Sequence, residues 1–206
     1  MSKILIIKAH PRTSAYSQVI SGLEIFIKAY QEIHPLDELE IVDVFNDEIP
    51  GLDDDILGAW DELRAGKSLS SLTEIQQTKL KQYDTYAAQF LAADKIVIAN
   101  PLWNQSIPAK LQQWIEAVAV PGKTFRYTEK GPVGLASGKK LLHLQASGGI
   151  YHQEDAATLY LHRLFSLVGI SEIEDIILEG HMYQPDKAEA LVEEFQLKIK
   201  KAAENF

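Results

Sequence analysis

Five short runs of consecutive apolar residues divide the chain, at positions 4–7, 39–45, 95–99, 140–144 and 175–178. Most are rich in leucine or β-branched residues without alternation, the pattern of strands covered on both faces. Between them the apolar spacing changes to three and four. Over 17–30, Val19, Ile20, Leu23, Ile27 and Tyr30 fall on one stripe, and over 73–93 Ile75, Leu80, Tyr83, Tyr86 and Phe90 recur. Leu111, Trp114, Ile115 and Val118 do the same over 109–118, and 156–168 and 187–203 follow suit, so each stretch predicts an amphipathic helix. Strands alternating with helices predict an α/β fold: a doubly wound five-stranded parallel sheet with right-handed crossovers and helices on both faces. The least regular part is 46–72, with Pro50, Gly51, Gly58 and Gly66. It reads as an excursion off the core with a short helix around 54–64.

Length and charge narrow the class. At roughly 150 residues per domain, 206 residues make one large domain over 1–206 the expectation, and no repeat or linker divides it. There is no cysteine, which excludes disulfides, thiolate nucleophiles and Cys-ligated zinc or iron–sulfur sites. Twenty basic against 29 acidic residues give a net charge of −9, which argues against sequence-independent nucleic-acid or anionic-membrane partners. The run at 4–7 is too short for a secretory leader or a membrane span, so a cytoplasmic location is expected.

In an open parallel sheet, ligands bind beyond the carboxyl ends of the strands, which directs attention to three loops. After the first strand, Ala9-His10-Pro11-Arg12-Thr13-Ser14-Ala15-Tyr16-Ser17-Gln18 is rich in hydroxyls and has no glycine. It matches neither the dinucleotide Gly-x-Gly-x-x-Gly turn nor the Gly-x-x-x-x-Gly-Lys loop. A helix N-terminus of this kind suits one phosphate, with Ser14, Ser17 and Gln18 as donors; Ser14 or Ser17 as a plain helix cap is the competing assignment. After the third strand, Pro101-Leu102-Trp103-Asn104-Gln105 is apolar, aromatic and amide-bearing, suited to stacking on a flat ring or simply to closing over the core. Asn104 there is either a ligand contact or the cap of the next helix. After the fourth strand, Ala146-Ser147-Gly148-Gly149 lets backbone approach a ligand closely, or is an ordinary turn. A single-phosphate cradle beside two ring-edge loops fits a mononucleotide better than a dinucleotide. The six histidines show no metal-like pairing, Asp53-Asp54-Asp55 reads as a helix start, and no Gly-x-Ser-x-Gly elbow occurs.

At these loops the chain resembles the FMN-dependent NADH-azoreductases, a branch of the flavodoxin-like quinone reductases. The most specific stretch is Phe125-Arg126-Tyr127-Thr128-Glu129-Lys130-Gly131-Pro132-Val133-Gly134-Leu135 followed by Gly138-Lys139-Lys140; Tyr16-Ser17-Gln18, Pro101-x-x-Asn104, Gly148-Gly149-Ile150 and Gly169-Ile170 also match. The resemblance implies a flavodoxin-like sheet of strand order 2-1-3-4-5, one non-covalent FMN per subunit, NADH as donor, and a homodimer whose interface builds the active site. Quinones or aromatic azo compounds would accept the hydride in ping-pong turnover, with the flavin carrying the chemistry and no catalytic side chain required. It places Ser17, Gln18 and Val19 at the phosphate, and Pro101, Leu102, Trp103, Asn104 and Gln105 at the isoalloxazine. Ala146, Ser147, Gly148 and Gly149 also face the ring, and His10 stands where the family commonly has serine. The chain departs from the family at Leu102-Trp103-Asn104-Gln105, often Met-Tyr-Asn-Phe, and at Ala146-Ser147, often Ser-Arg. Two other functions share the fold. One is an electron carrier with no substrate of its own, the other a scaffold that has lost the flavin.

Overall fold

In the computed structural model, which describes residues 1–152 and 154–206, four of the apolar runs become strands extended by a few residues, while the run at 39–45 becomes a strand ending at Asp43. The elements in chain order are β1 (Lys3–Lys8), α1 (Gln18–Ile33), β2 (Glu38–Asp43), α2 (Asp54–Arg64), α3 (Glu74–Ala92), β3 (Lys95–Pro101) and α4 (Ala109–Val118). Then follow β4 (Phe125–Thr128), β5 (Gly131–Gly134), β6 (Lys140–Ala146), α5 (Ala156–Val168), β7 (Glu172–Leu178) and α6 (Ala188–Asn205). The main sheet is parallel throughout, in the order β2-β1-β3-β6-β7. With a hairpin interposed, β6 and β7 are the fourth and fifth strands of the expected 2-1-3-4-5 order.

The lack of alternation in the runs has a direct cause. Ile4 and Ile6 face a core formed with α1 and α6, while Leu5 and Ile7 face the core under α2, α3, α4 and α5, and all four are fully buried. The α1–α6 contact is close enough to demand glycine: a Cβ on Gly22 would lie 2.7 Å from the Ile199 side chain. The excursion over 46–72 carries α2 where the pattern places it. Asp53 caps it, its carboxylate accepting from Ile56 N–H at 3.1 Å, and Lys79 pairs with both Asp53 and Asp55. The acidic triplet therefore starts a helix. Thr73 and Gln76 form a reciprocal capping box at α3.

One element is absent from the hydrophobic pattern. Residues 125–134 fold as an antiparallel hairpin, β4–β5, packed on α5. Its strands are four residues long and include Arg126, Pro132 and two glycines, so no apolar period survives to signal them. Among the described residues no helix is long and apolar enough to cross a membrane, and no group of His, Asp and Glu side chains could hold a metal ion.

Candidate functional site

Three strands end in step, and that brings the loops together. Ala9 N–H donates to Ala99 O at 2.8 Å, Leu102 N–H to Ala146 O at 3.1 Å, and Ser147 N–H to Leu178 O at 2.8 Å. The loops after β1, β3 and β6 thus leave the carboxyl end of the sheet side by side.

In the first loop His10 is buried, and its Nδ1 accepts the Arg12 N–H at 3.0 Å. Its ring lies 5.2 Å from the Trp103 ring, inclined at 57°. Burial pushes the imidazole pKa down, and the charges of Arg12 and Lys8 act in the same direction. A neutral ring with Nδ1 accepting leaves the hydrogen on Nε2. Ser17 is the N-cap of α1: its backbone is extended and its Oγ lies 3.5 Å from Ile20 N. That cap leaves two donors over. Among the described residues the N–H groups of Gln18 and Val19 have no acceptor, and the first turn of α1 carries no acidic residue. The Val19 side chain is in the core, so only its N–H can serve a ligand. Ser14 lies aside, lining a shallow groove with Ser21 and Glu24 on the flank of α1.

The second loop is a tight turn. Trp103 and Ser106 exchange two N–H···O bonds of 3.0 Å, with Asn104 at φ 52° and Gln105 at φ 64° between them. Two left-handed residues in succession make a type I′ geometry, which asparagine tolerates and glutamine resists. Asn104 is therefore no helix cap; Pro108 occupies that position at α4, without a side-chain bond. The N–H groups of Asn104 and Gln105 have no acceptor among the described residues. Trp103 stays 41% exposed although its ring contacts His10 and Phe45. Pro101 is buried at the strand end and Leu102 is half-buried against the core.

In the third loop Ser147 is buried, and its Oγ donates to Gly149 O at 3.0 Å. Gly180 N–H donates to the same oxygen at 2.8 Å. Ala146 ends β6, while the N–H groups of Gly148 and Gly149 are without acceptors among the described residues. A Cβ on Gly148 would lie 2.7 Å from Met182 Sδ, and one on Gly149 2.9 Å from the Tyr151 ring. Gln105 Nε2 donates to Tyr151 Oη at 3.1 Å, tying the second and third loops. Tyr151 was not among the residues singled out by sequence, nor were Asn100, His143 and Asp175 beneath the loops. For the last three the one signal is a polar residue at an otherwise apolar strand, and Tyr151 has no signal at all.

What the loops share is a set of backbone donors with nothing to donate to, flanked by two aromatic side chains and free of acidic groups at the helix end. The arrangement suits an anion at α1 and a flat, polar-edged ring between the other two loops.

The family model described as Flavodoxin-like fold matches residues 2–203. A protein of Streptococcus suis named FMN-dependent NADH:quinone oxidoreductase is 40% identical over 206 residues, covering 100% of both chains. Among solved structures, an azoreductase from Bacillus anthracis superposes with a TM-score of 0.93 at 34% identity, covering 100% of both chains. A second B. anthracis structure, an FMN-dependent NADH-azoreductase in complex with FMN, gives a TM-score of 0.88 at 29% identity, covering 98% of this chain and 100% of that one.

Proposed function

The chain belongs to the flavodoxin-like fold family, and from that premise we propose that it is an FMN-dependent NADH:quinone oxidoreductase that also reduces azo compounds. The observation that carries this is the set of N–H groups at Gln18, Val19, Asn104, Gln105, Gly148 and Gly149 that lack a partner among the described residues, gathered at one end of the sheet. These donors fit FMN: two at a helix N-terminus for a single phosphate, four for the polar edge of a ring.

Each part has a physical role. The N–H groups of Gln18 and Val19, with the positive end of the α1 dipole, hold the phosphate, and no first-turn carboxylate opposes them. The Asn104–Gln105 turn and the Gly148–Gly149 backbone direct N–H groups toward the place where negative charge develops on reduction, as fixed dipoles do in other sites. Trp103 and His10 form a wall, and the neutral His10 ring adds no charge to it. When bound, FMN supplies the two-electron chemistry, taking hydride from NADH and delivering it to a quinone or azo acceptor. That task requires no acid–base pair from this chain.

The homodimer is part of the same proposal. Tyr127 (73% exposed), Val133 (43%) and Leu135 (40%) stand exposed on and beside the β4–β5 hairpin, whose β5 packs on α5, the helix that exposes Leu159 (48%). Such a patch is costly in water and is buried twice by symmetric pairing. One flavin-binding domain over 1–206 and a cytoplasmic location complete the reading; the net charge of −9 favours neither nucleic acid nor anionic membrane as partner.

The test is the absorption spectrum of the purified protein before and after anaerobic NADH. Bleaching by NADH and recovery on adding a quinone is the expected outcome. A flavin that NADH does not reduce would make the chain an electron carrier. Heat-released cofactor identified by mass as FAD would remove the single-phosphate argument, and a fully active monomer in light scattering would remove the dimer.

A further inference from the structure

Beneath the flavin loops runs a buried polar chain to which the proposed reaction assigns no task. Asn100 of β3, His143 and Gln145 of β6, and Asp175 of β7 occupy neighbouring register positions on the face under α5. Asn100, His143 and Gln145 are fully buried. His143 Nδ1 lies 2.8 Å from Asp175 Oδ1, and Nε2 3.1 Å from Asn100 Oδ1. Asn100 Nδ2 donates at 3.1 Å to both the Pro101 carbonyl and Gln145 Oε1. Gln145 Nε2 donates to Asp155 Oδ2 at 3.1 Å and to Thr158 Oγ1 at 3.3 Å. At the other end, Asp175 Oδ2 lies 2.6 Å from Nε2 of His162, a partly exposed residue of α5.

The ends of this chain fix the direction of every bond in it. The Asp155 carboxylate accepts from Thr158 N–H and Oγ1–H, so Gln145 turns its NH₂ toward it and its oxygen toward Asn100. Asn100 must then give its NH₂ to Gln145 and Pro101, which leaves Oδ1 for His143. That oxygen has no hydrogen, so His143 Nε2 must carry one. On the other side, burial pushes the Asp175 carboxyl up, but hydrogen bonds and charge from His143 and then His162 outweigh it and hold the group below the usual range. Ionised Asp175 is also only an acceptor. His143 therefore faces an acceptor on each ring nitrogen, and its Nε2 carries the hydrogen that Asn100 Oδ1 accepts. The ionisable groups that face this chain are Asp175 from β7 and Asp155 and His162 from the α5 segment; among the described residues β3 and β6 contribute only Asn100, Gln145 and His143 itself.

We propose that His143 is a positioning residue for the flavin loop: its Nε2 hydrogen, held in place by Asp175, orients the Asn100 amide that ties the Pro101 carbonyl at the root of the Leu102–Gln105 turn. This rests on the assignment of the turn to flavin made above. Without that hydrogen, Asn100 Oδ1 meets a lone pair, and the amide rotates or leaves a buried acceptor unpaired. Either way Pro101 O loses its donor, and the adjoining turn, with two non-glycine residues at positive φ, shifts.

The test compares the full wild-type chain with its His143→Phe and Asp175→Asn variants, each first flavin-free by ¹⁵N NMR and then titrated with FMN. Nε2 of His143 is expected to carry a hydrogen in the flavin-free wild type. Its removal in His143→Phe is expected to move the Leu102–Gln105 amide resonances and to weaken FMN binding roughly tenfold. Asp175→Asn is expected to move the same loop amides. An Nε2 without a hydrogen in the wild type, or loop amides unchanged in a folded variant, overturns the proposal. The wild-type Nε2 signal decides alone if neither variant folds. If FMN fails to bind, the functional proposal falls, while ring and loop signals still decide this one.

Discussion

The two ends of the sheet treat their polar groups in opposite ways. At the amino end, Ser2 N–H and the Tyr30 hydroxyl both donate to Asp37, at 2.6 and 2.7 Å, and Lys3 N–H donates to Asp94 at 2.8 Å. Lys95 Nζ donates to Tyr30 Oη at 2.9 Å and lies over the Tyr30 and Phe206 rings. Burial and then the Asp37 hydrogen bond push the Tyr30 phenol well above its ordinary value. At the carboxyl end, six backbone donors lack acceptors among the described residues, and three non-glycine residues, Asn104, Gln105 and His152, hold positive φ. Around Asp37, Tyr30 and Lys95 the fold thus pairs its own polar groups, while at the other end it leaves a cluster of backbone donors open. The difference separates a stability site from a binding site: polar groups that matter for folding find partners within the fold, and those kept for a ligand do not.

The separation has consequences at both ends. The largest is expected for Gly149→Val, whose side chain would enter the space of the Tyr151 ring. FMN dissociation is expected to weaken by about a hundredfold or more, on the order of 2.7 kcal/mol, with little change in melting temperature. Fluorescence titration decides it; an unaltered affinity would remove this loop from the site. Tyr30→Phe should do the reverse. Losing the hydroxyl leaves Asp37 and Lys95 without their common partner and should cost about 1–3 kcal/mol in urea unfolding, with FMN affinity unchanged. A parallel loss of affinity would mean that the two ends are not independent.

Asn104→Gly tests the strain itself. Glycine adopts φ 52° freely, so stability is expected to hold or rise by about 0.5–1 kcal/mol. FMN should bind up to about tenfold more weakly if the amide side chain meets the ring edge. A gain in stability with no loss of affinity would leave Asn104 as a turn residue only.

The smallest effect concerns acid. The folded pKa of His10 is lowered, so the unfolded chain binds the proton first. Its contribution to stability is complete above the ordinary histidine value of about 6.5 and is lost as pH falls below it toward the folded value. Asp37, held below the carboxylate range by the Ser2 N–H and the Tyr30 hydroxyl, contributes above about pH 3.9 and loses that contribution only at lower pH. Melting curves from neutral to mildly acidic pH should therefore fall slightly for the wild type and less for His10→Gln. An equal fall in both would acquit His10.

The sheet was legible in the sequence because both its faces are covered, so its strands are unbroken apolar runs such as Ile4-Leu5-Ile6-Ile7. Helix α2 was equally legible, announced by a capping aspartate. The hairpin was not, since Gly131-Pro132-Val133-Gly134 has no period to read. At the site, the glycines and the helix start could be located from loop composition. The sharp turn at Asn104–Gln105 could not, because glutamine has no preference for positive φ. Neither could the alignment of Asn100 with Gln145 and of His143 with Asp175, which depends on strand register and has no trace in any one segment.

The ladder bond from Ser147 to Leu178 has a further meaning for the life of the chain. In a protein made from its amino terminus, the phosphate cradle and the Trp103 turn leave the ribosome long before β7 does. The third loop cannot close until Leu178 has emerged and paired. The third loop is therefore complete only in a chain whose last strand is already in place.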